Sequence, residues 1–159
     1  MRVIFLDIDG VLNHWDYLRT DECQSSDNMS GPGYLDGACV QRLNTLIEKT
    51  GAKVVVSSTW RKSHTVDSLQ QTLEEKGFGG EIIDFTTTRD LGKRADQIWD
   101  WLNNTSEEIE SFVILDDDAD AADIVLGAHF VGTSLDHGGL QDKHVELAVK
   151  ILEEESNDG

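Results

Sequence analysis

Two groups of carboxylates carry the chemistry this sequence could perform. The first is Asp7-Ile8-Asp9, followed at once by Gly10-Val11, and the second is Asp116-Asp117-Asp118. Each follows a short apolar run, Val3–Leu6 or Phe112–Leu115. If both runs are neighbouring strands, these acids meet at one sheet edge. A close carboxylate pair repels by about 4 kcal/mol at an effective dielectric near 20. A few such pairs rival the stability of a whole domain, roughly 5–15 kcal/mol. The site therefore needs a cation or a retained proton. Hard carboxylate oxygens, without thiolate or clustered imidazole, favour Mg²⁺ over zinc. Polar loops after strands would explain one such aspartate, but two strand-terminal clusters ask for more.

A hydroxyl and a fixed cation complete the set. Ser57-Ser58-Thr59-Trp60-Arg61 follows the run Lys53–Val56, and Lys93-Arg94 opens a helical pattern. A carboxylate, a hydroxyl, a cation and a metal are what phosphoryl transfer uses, because that chemistry is mostly positioning and charge neutralisation. Other metal patterns fail. Asp116, Asp118 and Asp120 mimic the start of a calcium loop, but Ala121 stands where its glycine belongs and Gly127 where its last acid belongs. His14, His64, His129, His137 and His144 show no ligand spacing and read as surface or local hydrogen-bonding residues.

The elements that must position these groups alternate along the chain. Arg2–Leu6, Lys53–Ser57, Phe112–Leu115 and Ala128–Val131 read as buried strands, with Glu81–Phe85 as a further one. Between them run helical periods: Val40, Leu43, Leu46 and Ile47, closed by Gly51; Val66, Leu69 and Leu73, ending at Lys76-Gly77; Ala95, Ile98, Trp99 and Leu102; and Val145, Ala148, Val149 and Leu152. Trp99 falls on an apolar face and reads as core, while no role is read for Trp101. This alternation predicts an α/β fold, with a mainly parallel sheet and helices on both faces. Ligands of such sheets bind at the strands' carboxyl ends.

Composition narrows the class. At 159 residues and 38% hydrophobic content the chain reads as one domain over 1–159. Thirteen basic against 31 acidic residues leave a charge of −18, which argues against nonspecific duplex binding. A small phosphoester remains possible, since a bound divalent cation inverts the local field. Cys23 and Cys39 stand too far apart for a CxxC pair and read as reduced thiols. No apolar run is long enough to span a membrane, and Asp7 interrupts the N-terminal apolar run too early for a signal peptide. A cytoplasmic, soluble protein is the expectation. Glu153–Gly159 reads as a solvated helix end and tail.

Taken in order, these motifs resemble the haloacid dehalogenase (HAD) superfamily of phosphatases. The strand with Asp7-Ile8-Asp9-Gly10-Val11 is similar to its first motif and Val54-Val55-Val56-Ser57 to its second. Lys93 or Arg94 matches its third, and Asp116-Asp117 its fourth. Within the superfamily, the sequence is similar to the small, nearly capless HAD domains of Swiss Army Knife RNA-repair proteins. The matching residues are Leu6–Asn13, Ser57–Arg61, Arg94–Leu102, Leu115–Asp118 and Gly138-Gly139-Leu140.

The resemblance implies a three-layer Rossmann-like fold with minimal or no cap and a Mg²⁺-dependent phosphomonoesterase. It implies Asp7 as nucleophile, forming an aspartyl-phosphate, and Asp9 as acid and base. Ser57 would bind the phosphoryl group, with Ser58 an equal alternative. Lys93 or Arg94 would hold Asp7 and the phosphate, Arg94 fitting the spacing to Ile98 better. Asp7, the Asp9 carbonyl, Asp116 and Asp117 would hold the metal, with Asp116 or Asp118 supporting its waters. Residues 13–36, with Trp15, Tyr17 and Tyr34, form a candidate flap whose Trp15 could stack on a base or sugar, and Arg61 could contact a second phosphate or carboxylate. Nucleotides, nucleic-acid termini or another small phosphoester are the expected substrates. A receiver-like phosphoacceptor, which also gathers acids at a sheet edge, is the alternative.

Overall fold

The computed structural model describes residues 1–157. Asp158 and Gly159, the end of the expected tail, lie outside the described residues. Five short, β-branched-rich segments form strands: β1 (Arg2–Leu6), β2 (Lys53–Val56), β3 (Ile82–Phe85), β4 (Ser111–Asp116) and β5 (Phe130–Gly132). All pair in parallel in the order β3-β2-β1-β4-β5. Strand β1, which leads into Asp7, is thus central. Flavodoxin-like receivers use the order 2-1-3-4-5 instead, so the sheet separates this chain from that alternative.

Among the described residues, six α-helices accompany the sheet: α1 (Trp15–Leu18), α2 (Asp21–Gln24), α3 (Gly37–Thr50), α4 (Val66–Glu74), α5 (Arg94–Asn104) and α6 (Asp142–Asn157). Local chemistry sets their ends. Asp36 caps α3 by accepting the Ala38 N–H at 3.0 Å. Gly51 ends it in the left-handed region at φ 70°, returning its N–H to Ile47. Thr65 and Ser68 exchange side-chain and backbone hydrogen bonds at the start of α4.

Alternate residues of each strand serve two cores. Ile4, Leu6, Val54, Val56, Val113 and Leu115 pack with α3, α4 and α6. Val3, Phe5, Val55 and Ile114 pack with Ala95, Ile98 and Trp101 of α5. Helices therefore cover both faces, as the alternation requires. Trp101, which had no assigned role, is buried: it meets Phe5 edge-on at 5.5 Å and donates Nε1–H to Asp84 at 2.8 Å. Trp99, expected in the core, sits at its half-buried shoulder and donates to Asp123. The helix buries Ala95, Ile98 and Trp101, a stripe one step round from the expected one.

The last strand also differs from expectation. Leu126–His129 is a 3-10 turn, and pairing begins only at Phe130. Both cysteines are free and buried. Among the described residues no helix is long and apolar enough to cross a membrane.

Candidate active site

Parallel pairing in register brings the motifs together. Leu6 lies beside Val56 on one side and Leu115 on the other. The next residues, Asp7, Ser57 and Asp116, therefore stand side by side on strands about 4.8 Å apart. Backbone hydrogen bonds extend the ladder by this step: Asp7 N–H donates to Leu115 and Ser57 N–H to Leu6, at 3.0 and 2.9 Å. All three side chains are buried.

Asp7, Asp116 and Asp117 each offer a carboxylate oxygen within 4.8 Å of the others. Arg94, in the first turn of α5, spans the first two. Its Nη1 lies 2.7 Å from Asp116 Oδ2 and 3.3 Å from Asp7 Oδ2. Lys93, one residue earlier, is the exposed N-cap, and its backbone N–H donates to Asp96. Of the two motif-three cations, Arg94 is thus the one at the carboxylates.

One guanidinium does not neutralise this cluster. Burial, and then the Asp116 carboxylate, push Asp7 up to about 9 against the pull of Arg94. Burial also raises Asp116, again opposed by Arg94. Burial alone would weaken the Arg94 cation, but Asp7 and Asp116 outweigh that effect and raise it. The donor set fits a hard divalent cation, which would replace a retained proton with charge. Gly10 keeps that space open. It adopts φ 84°, and a Cβ there would come within 2.3 Å of Asp117 Oδ2.

The loop after β1 orients Asp9. Asn13 Nδ2 donates to Asp9 Oδ1 at 2.9 Å, while Trp60 Nε1 lies 3.2 and 3.3 Å from its two carboxylate oxygens. Asn13 Oδ1 also accepts the Gly10 N–H, and Thr133 donates to the Gly10 carbonyl. Sequence reasoning gave these positioning residues no role. Asn13 and Trp60 did fall inside its motifs, the one signal that could have found them.

Ser57 and Ser58 behave differently. Ser58 Oγ caps the 3-10 turn Thr59–Lys62 by accepting the Trp60 N–H. Ser57 Oγ is buried with no hydrogen-bond partner among the described residues. A buried hydroxyl left unpaired is costly, and Ser57 stands beside Asp7 in the sheet.

A cavity of about 390 Å³ is lined by Asp7, Asp9, Thr59, Arg94, Asp117, Asp118 and Ala119. No residue of 13–36 lines it, so the expected flap, Trp15 included, is not part of its wall. Trp15 is exposed beneath Arg19, which lies 5.8 Å from its ring. Tyr17 turns inward to donate to Gly33, and His14 pairs with Asp36 at 2.7 Å, tying the segment to α3. Arg61 is buried: it donates to the Ser58, Thr86 and Thr87 carbonyls and the Thr86 hydroxyl. Its place at the sheet edge was expected; its full set of neutral acceptors was not.

No curated protein and no solved structure matches the chain. The family described as the HAD domain in Swiss Army Knife RNA repair proteins matches residues 3–145, nearly the whole sheet and all its motifs. Since that match covers most of the chain and every strand-end residue above, this protein belongs to that family of HAD domains.

Proposed function

We propose that this HAD domain is a Mg²⁺-dependent phosphomonoesterase that works through a phosphoryl group on Asp7. The observation that carries the reading is the level set of Asp7, Ser57 and Asp116 at three strand ends, with Arg94 across two of them. Family membership supports phosphatase-type chemistry; the metal, the intermediate and the substrate are our reading.

The Asp7 side chain attacks phosphorus, and the ester P–O bond breaks as the Asp7–phosphoryl bond forms. Asp9 gives its proton to the leaving oxygen, then takes one from the water that cleaves the acyl phosphate. Asn13 and Trp60 hold the Asp9 carboxyl for both transfers. Ser57 Oγ donates its free O–H to a phosphoryl oxygen. Arg94 holds Asp7 in place and offsets charge on the phosphoryl group. Asp7, Asp116, Asp117 and the Asp9 carbonyl would hold Mg²⁺, which supplies charge neutralisation on the phosphoryl oxygens when bound.

Retained protonation of the carboxylates is the competing state, and it would leave Asp7 a poor nucleophile. The test is phosphate release from p-nitrophenyl phosphate, nucleoside 3′- and 5′-monophosphates, sugar phosphates and phosphorylated oligonucleotides, with and without Mg²⁺. Release that depends on Mg²⁺ and vanishes in Asp7→Asn supports the reading. Silence across the panel from folded protein overturns it.

A further inference from the structure

Four of the 13 basic residues, Arg61, Lys62, Lys93 and Arg94, line a second cavity of about 380 Å³. Thr59, Arg94 and Asp118 border both cavities, so the groove opens directly from the site of phosphoryl chemistry. Several basic side chains elsewhere meet carboxylates, as Lys53 does Glu81, Lys76 does Glu22 and Arg42 does Asp142, while Arg19 lies over Trp15. Among the described residues, Arg61, Lys62 and Lys93 form no ion pair. Arg61 satisfies its donors on neutral oxygens alone, and the charges that act on it are Arg94, which weakens the cation, and Asp7, which favours it.

Three acids share the lining, and backbone N–H groups fix two of them in place. Asp90 accepts the Gly92 N–H and Asp118 the Asp120 N–H. Arg94 is balanced by Asp7 and Asp116, so the lining sets unpaired Arg61, Lys62 and Lys93 against Asp90, Asp118 and Asp120, a sum of 3 − 3 = 0 on a chain of −18. Cations left unpaired in so acidic a protein act as a local receptor for anions.

Building on the phosphatase reading, we infer that this groove takes a second phosphate, carried on the leaving group of the substrate. Lys62 and Lys93 contact that phosphate, and buried Arg61 adds field without moving. The preferred substrate is then a bisphosphorylated compound. It is either a nucleoside 3′,5′-bisphosphate or a phosphorylated oligonucleotide end, whose next phosphodiester supplies the same charge.

The test compares kcat/KM for adenosine 3′,5′-bisphosphate, adenosine 3′-monophosphate and a 3′-phosphorylated hexanucleotide. A charged contact supports a preference of roughly tenfold for either doubly charged substrate over the monophosphate. Lys62→Gln and Lys93→Gln each reduce that preference, and 0.5 M salt does the same. Which of the two substrates leads identifies the source of the second phosphate. Equal kcat/KM for all three, with p-nitrophenyl phosphate still hydrolysed, overturns the groove and leaves the phosphatase reading standing.

If nothing is hydrolysed, that reading fails and calorimetric binding to Asp7→Asn decides the groove by itself. Adenosine bisphosphate bound at least tenfold tighter than the monophosphate, and loosened by Lys62→Gln, supports it. Equal affinities overturn it.

Discussion

Without metal, the carboxylate cluster should make this protein less stable as pH rises. Asp7 is pushed up to about 9 in the fold by burial and by Asp116, against about 3.9 in an unfolded chain. The folded state therefore binds the extra proton between those values. That contribution is full below the lower value and is lost as pH climbs towards the upper one. One proton of difference changes stability by about 1.4 kcal/mol per pH unit.

Between pH 7.0 and 8.5 the loss is about 2 kcal/mol, or roughly 4–8 °C in Tm for a domain of this size. His144, which burial shifts downward, titrates below this window. Scanning calorimetry in EDTA at the two pH values reads the drop directly. Asp7→Asn removes the main titrating group and should reduce the drop, leaving the smaller part from Cys23 and Cys39, which burial also raises. Millimolar Mg²⁺ displaces the proton, so its stabilising effect should be larger at pH 8.5. A pH-independent Tm in EDTA, or an equal slope in Asp7→Asn, would refute the electrostatic account.

Three further outcomes follow. Ser57→Ala removes a hydroxyl with no partner, so stability should hold or rise in urea titration while kcat/KM falls roughly tenfold to a hundredfold. Arg94→Ala strips the counter-charge from two buried carboxylates; we expect a loss of about 2 kcal/mol in urea unfolding and of roughly a hundredfold or more in kcat. A stable, active Arg94→Ala would transfer its role to Lys93. Gly10→Ala places a methyl against Asp117 at a positive φ, and calorimetric Mg²⁺ titration should show at least tenfold weaker binding, with unchanged affinity counting against Asp117 as a ligand.

The sheet was legible because a buried parallel strand is a short β-branched run, and each run here stops at a polar residue on the ligand-binding edge. Asp7, Ser57 and Asp116 could thus be placed together before their register was known. Contacts that join distant segments were not legible. Trp60 reaches Asp9 across 51 residues, and only the β1–β2 pairing aligns them. Neighbouring residues were ambiguous for a different reason. On a helix each step turns about 100°, so Lys93 against Arg94 and Trp99 against Trp101 hinge on where α5 begins. The structure puts Arg94 at the carboxylates and Trp101 on Phe5. The flap reading of residues 13–36 rested on their aromatic side chains, and no residue of the segment lines the cavity beside Asp7. Here Tyr17 is spent on Gly33, and Trp15 lies under Arg19.

The central claim is that Asp7 carries the phosphoryl group, and trapping it tests that claim most directly. Protein mixed with Mg²⁺ and a ³²P-labelled substrate, then quenched in acid, should retain label that hydroxylamine removes. Peptide mapping should place it on Asp7, and Asp7→Asn should carry none. Label on another residue, or rapid Mg²⁺-dependent turnover by Asp7→Asn, would contradict the account.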